Sequence, residues 1–237
     1  MSLPPEFSWW NVIPTLVGGA ISIATTAVLF LVNQRAEKKK RTIESRKSEA
    51  LRAFKGFWKL RNVANGLMNL ERQIAQSYRD ADESGMEDAS PFSKVKPFVG
   101  ALEEYELLEI EEVVFLSRQK NIALLNDIEL IVRRARNIEA VVIKYNDMKA
   151  SFEEFIESHA EEIEVLDEPI VGSKFKGRLG VIAHLREGSG NNLLGQLQEF
   201  LESDCKESKR VTEAYLEAAK KEFGEDFPKF KFVWTDL

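Results

Sequence analysis

The chain has 237 residues, with 33 Lys and Arg against 39 Asp and Glu, for a net charge of −6. Its one cysteine and two histidines exclude an internal disulfide, a multi-cysteine metal site and a histidine-rich one. The charge is unevenly spread: residues 1–34 carry −1, residues 35–61 carry +8 and residues 62–237 carry −13. The distal region therefore lacks the basic stripe a phosphate backbone needs, and nucleic acid is not an expected partner.

From Trp9 to Val32 there is no charged side chain. A helix of that length rises about 36 Å at ~1.5 Å per residue, enough to cross a ~30 Å hydrocarbon core. Its polar groups are Asn11 and the hydroxyls of Thr15, Ser22, Thr25 and Thr26, and hydroxyls can bond back to helix carbonyls. Trp9 and Trp10 stand where headgroups favour amphipathic rings. A cleavable export signal needs positive charge before its apolar stretch, but only Glu6 precedes this one. The expectation is an uncleaved transmembrane helix at 9–33 after a short extracytoplasmic tail at 1–8. Gly18, Ser22 and Thr26, spaced by four, form a small-residue stripe for packing against another helix in lipid.

Eleven Lys and Arg against three Glu follow between Arg35 and Arg61. The positive-inside rule places this collar in the cytoplasm and the N-terminus outside, at the plasma (inner) membrane. Arg35, Lys38, Lys39, Lys40 and Arg41 are the candidate contacts to anionic lipid. Residues 34–80 read as a basic juxtamembrane helix, with Ala50, Phe54, Phe57, Leu60, Ala64, Leu67, Ile74 and Tyr78 at spacings of mostly three and four. Residues 81–97 carry Gly85, Pro91 and Pro97 without apolar period and read as a linker loop.

Residues 98–237 form the expected acidic helical region. "FVGALEEYELLEIEEVVFLSRQ" resumes a helical pattern, and Glu106, Glu109 and Glu112 share a face read as solvated surface. The clearest element runs from about Gln119 to Ile163, where an apolar seam passes through Leu124, Ile128, Ile131, Ala135, Ile138, Val142 and Tyr145 and is interrupted at Lys149. Sustained over five heptads, it predicts a coiled-coil-like helix, with Leu124, Ile128, Ile131, Ile138 and Val142 as a self-association seam. Pro169 and five glycines predict an irregular connection at about 166–191, and a last helix from about Asn192 to Phe223 ends at Gly224 and Pro228. The tail "FPKFKFVWTDL" is expected to lay Phe230, Phe232 and Trp234 back on the bundle.

Few constellations suggest chemistry. "GSKFKGR" (172–178) has the glycines of a phosphate loop, but neither its lysine after the second glycine nor its Ser or Thr. Ile156 stands where a Glu-x-x-His metal motif ending at His159 needs glutamate. "RLGVIAH" sets Arg178 six residues before His184, which resembles the Arg-x(4–6)-His signature of HEPN-type ribonucleases, though Leu179 stands where that family has a polar residue. The resemblance, over seven residues, implies an all-α protein whose Arg178 and His184 would cut RNA in a composite site shared by two chains. No nucleophile, base and orienter can be set around Cys205 or any serine.

The sequence thus predicts an all-α protein: one N-terminal transmembrane helix followed by a cytoplasmic helical bundle with long helices. The expected role is non-enzymatic, without cofactor or metal: a scaffold, sensor or assembly subunit contacting membrane lipids and either itself or another helical protein. The alternatives are the ribonuclease and a membrane-acting effector that oligomerises through its span.

Overall fold

The computed structural model describes residues 9–100, 107–159, 163–164, 174–175 and 177–234; the side chains of residues 9–28 and of the four strand residues fall outside the described set. The fold is all-α. Among the described residues there are five α-helices, α1 (Trp9–Glu83), α2 (Pro91–Lys94), α3 (Ile110–Arg118), α4 (Ile122–Ser158) and α5 (Gly177–Phe223). A two-residue antiparallel pairing of β1 (Ile163–Glu164) with β2 (Lys174–Phe175) stands between α4 and α5. The chain divides into two compact units at Glu49/Ala50, within α1. The expected boundary at the 81–97 linker is therefore corrected: residues 50–83 are the first helix of the bundle.

In the second unit, residues 50–83 bury Ala50, Ala53, Phe57, Leu60, Ala64, Leu67, Leu70 and Ile74, one face of a 3.6-residue period. All of these but Ala64 join Leu124, Ile131, Ile138, Val142, Leu194, Leu201, Val211 and Tyr215 in one hydrophobic core. Arg210 meets Asp127, Arg134 meets Asp204 and Arg186 meets Ser151, so α4 and α5 run antiparallel. Cys205, beside Met68 and Glu71 of α1, is buried, and this burial pushes its thiol up to about 12, so no reactive thiolate forms there.

α1 ends on Gly85, whose φ of +77° suits glycine, while Met86 N–H returns to the Ala81 carbonyl. The segment that follows is a packed part of the core: Phe92, Val95 and Phe98 are buried. Backbone buried away from water must find partners, and here side chains supply them. Asn146 accepts from Phe98 N–H and donates to its carbonyl, both at 2.9 Å. Tyr145 donates to the Val95 carbonyl at 2.8 Å, and Asn191 accepts from Phe92 N–H at 2.7 Å.

α5 begins at Gly177, fifteen residues before the expected start. The irregular connection predicted through 191 is helical over its last part. Glycines made that stretch look broken, since each costs a helix about 1 kcal/mol relative to Ala. Gly190 repays this through packing, because a Cβ there would lie 2.2 Å from the ring of buried Phe92. Gly195, on the same helix, faces open space. Gly190→Ala is therefore expected to destabilise the bundle by about 1–3 kcal/mol through overpacking, while Gly195→Ala stabilises it by about 1 kcal/mol. Denaturant titration of the two variants checks the opposite signs.

Past α5, Gly224 (φ +56°) turns the chain. The tail packs back as expected: Phe230 lies 5.2 Å from Phe54 and 5.3 Å from Phe57, and Phe232 lies 5.1 Å from Phe57. Trp234 donates to Glu213 at 2.6 Å.

Candidate functional site

The collar residues Arg35, Lys38, Lys39, Lys40 and Arg41 are all exposed on α1. Two carboxylates touch them loosely, Glu37 to Arg41 at 3.7 Å and Glu44 to Lys40 at 3.9 Å, both one helical turn apart. Exposed pairs of this kind bind weakly, so a net-positive surface remains. Gly18, Ser22 and Thr26 lie outside the described side chains. Among the described residues no helix is long and apolar enough to cross a membrane. The candidate span falls largely on residues 9–28.

The proposed self-association seam is corrected. Leu124, Ile128, Ile131, Ile138 and Val142 are each at most 5 % exposed and belong to the core of a single chain. A period that fits a coiled coil equally fits a helix packed inside its own bundle, and here α5 and α1 cover the seam.

Two buried polar clusters stand where the sequence suggested none. Glu112, expected on a solvated face, is 1 % exposed. Its Oε2 accepts from Glu109 N–H at 2.9 Å, capping α3, and its Oε1 lies 3.0 Å from the buried Lys59 Nζ. This close contact is ionic rather than a well-directed hydrogen bond. Lys59 also donates to the Leu107 carbonyl at 2.7 Å. Beside the pair, Tyr215 Oη reaches the carbonyls of Ala53 (2.9 Å) and Glu112 (2.6 Å), and burial raises its pKa. Gly56 makes room for that hydroxyl, since a Cβ there would come 2.5 Å from it. One polar knot thus joins α1, α3 and α5.

The second cluster explains the interruption of the seam. Lys149 is buried and donates to the Phe92 carbonyl at 2.7 Å, with its Nζ 4.8 Å from the Phe92 ring centroid. Burial lowers its pKa, while Glu153 and Glu187 act in the opposite sense. Glu187 in turn accepts from the hydroxyls of Ser90 and Ser93. The signals were present in the sequence, a lysine on an apolar seam and a Glu three residues after another Glu at a helix start, but Lys149 meets the Phe92 carbonyl 57 residues away and Glu112 meets Lys59 53 residues away.

Arg178 and His184 are both exposed on the first turns of α5. Six residues turn a helix by about 600°, which leaves the two side chains about 120° apart around the axis. They do not converge within one chain. His159 closes α4, its Nδ1 2.9 Å from both the Phe155 carbonyl and Ser158 Oγ. Among the described residues no group of three or more His, Cys, Asp or Glu side chains is placed to hold a metal ion.

No protein-family model, no curated protein and no solved structure matches the chain.

Proposed function

We propose that the chain is a single-pass, membrane-tethered helical protein whose bundle stands on the cytoplasmic side and acts by contact with other proteins, as a scaffold, sensor or assembly subunit. The observation that carries this reading is the order of two features on one helix. The uncharged run from Trp9 to Val32 is followed directly by a collar of eleven Lys and Arg against three Glu. An uncharged stretch of that length suits a hydrocarbon core, and basic residues on one flank alone retain that flank in the cytoplasm. The exposed Lys38–Arg41 cluster suits an anionic inner leaflet, whereas the −13 carried by residues 62–237 does not. Lipid contact is thus assigned to the collar and protein contact to the bundle.

The test is topological. A reporter fused at Leu237 is expected to be active only in the cytoplasm, and the chain is expected to stay with the membrane through alkaline extraction. Release of the intact chain by alkali, or a reporter active on the far side, overturns the reading.

A further inference from the structure

On one face of the bundle, α4 and α5 leave an open groove of about 410 Å³ between Lys144, Asp147, Met148 and Ser151 on one side and Leu185, Arg186 and Ser189 on the other. Beside it stand two aliphatic side chains on the outer face of α5, Val181 at 60 % and Leu185 at 64 % exposure. The rim holds opposite charges three residues apart on α4, Lys144 and Asp147, both exposed. No ion pair involving either is found among the described residues. Arg186, by contrast, is engaged, donating to the Ser151 carbonyl at 3.0 Å with its guanidinium 4.6 Å from the Phe155 ring centroid.

We infer that this face binds a second copy of the same chain across a two-fold axis. The occupant follows from charge and shape together. A two-fold contact requires a surface complementary to itself, and this one carries knob and hole side by side, with one unpaired charge of each sign. An axis passing between Lys144 and Asp147, with the two α4 helices antiparallel, sets Lys144 of each copy opposite Asp147 of the other. Two reciprocal ion pairs then fix the register, while burial of Leu185, Val181 and the Met148 floor supplies the affinity. Elsewhere two bundles repel, because residues 62–237 carry −13. The α5 half of this face, residues 177–195, carries Arg178 and Arg186 against Glu187 alone, so that repulsion is weakest there. The inference holds whether or not residues 9–32 cross a membrane, so it and the topology reading fail in separate experiments.

Sedimentation of the purified full-length chain in mild detergent, over roughly 1 to 100 µM, is the test. The wild type is expected to shift from monomer to dimer within that range. Leu185→Asp, at an exposed position that leaves the core untouched, is expected to weaken the dimer by at least about tenfold. Asp147→Lys is expected to do the same by setting like charges together, and adding Lys144→Asp restores affinity to within about threefold of wild type, because the reciprocal pairs reform with signs exchanged. Thermal unfolding of each variant verifies that the fold is kept. A wild type monomeric throughout the range, a dimer indifferent to Leu185→Asp, or a charge exchange that fails to rescue overturns the proposal.

Discussion

Replacing Ile131 and Ile138 together by aspartate is expected to unfold the helical bundle rather than to produce a folded monomer. Both side chains are 1 % exposed, one period apart on α4, and both sit in the core shared with α1 and α5. A carboxylate placed there without a partner must remain charged at a cost of several kcal/mol or take up a proton, and an unpaired carboxylic acid in an apolar site is itself penalised. The lost aliphatic packing adds about 2–5 kcal/mol at each position. Against a typical domain stability of ~5–15 kcal/mol, the pair exceeds what the fold can absorb. Circular dichroism and denaturant titration of the full-length chain separate the outcomes. Loss of the cooperative transition is expected; retained helicity with a normal transition and a smaller mass would show a seam that faces a second copy. Leu185→Asp, on the exposed face of α5, is the contrasting variant and leaves the transition in place.

The contrast shows what a periodic pattern can and cannot convey. The spacing of Leu124, Ile128, Ile131, Ala135, Ile138, Val142 and Tyr145 defines the buried stripe of α4 correctly, because burial on one helix face is a local consequence of 3.6 residues per turn. It is silent on what covers the stripe. The covering helices are distant in the chain, 70 residues where Arg134 meets Asp204 and 83 where Asp127 meets Arg210, and a stripe buried against them has the same period as one buried against a partner. The same limit applies to the start of α5. Its glycines and asparagines are poor helix formers taken alone, yet Gly190 lies against Phe92 and Asn191 accepts from Phe92 N–H, so contacts across 98 and 99 residues outweigh local propensity. Termini marked by local chemistry were legible where the sequence already predicted a helix. The left-handed Gly224 that ends α5 is one; the Ser90–Pro91 start of α2 carries the same kind of signal but lies in the stretch expected to be a loop.

Of the two candidate sites, the collar is legible because charge density is a property of adjacent residues. The buried polar knots are not, because a lysine or glutamate on a helix is by default solvated, and only a specific partner justifies burying it. Lys149 illustrates this. Read along the sequence it breaks the seam; in the structure its ammonium closes the end of a short helix that would otherwise leave the Phe92 carbonyl poorly paired inside the core. The groove beside Leu185 was invisible for a related reason, since its two walls, Lys144 to Ser151 and Leu185 to Ser189, are at least 34 residues apart in the chain.

The second large effect is expected at Glu112. Glu112→Gln keeps the shape of the side chain and leaves an amide oxygen able to accept from Glu109 N–H, so the α3 cap survives and only the negative charge is lost. Lys59, 8 % exposed, then keeps the Leu107 carbonyl at 2.7 Å and the more distant, solvated Glu109 carboxylate at 3.7 Å. Breaking one partner of a buried pair typically costs 3–5 kcal/mol, because the surviving charge stays buried without compensation. With Glu109 still near, a loss of about 3 kcal/mol is expected, measured as a lower denaturant midpoint at unchanged slope. Removing both charges separates the worth of the pair from the cost of orphaning one member. Lys59→Met with Glu112→Leu fills the same space with apolar groups and frees the Glu109 N–H and the Leu107 carbonyl, so it is expected to recover part of the lost stability. A single variant within about 0.5 kcal/mol of wild type would mean that Lys59 reaches water in solution; a double variant no better than Glu112→Gln would mean that the hydrogen bonds to Glu109 N–H and the Leu107 carbonyl, and not the charge pair, hold α3 against α1.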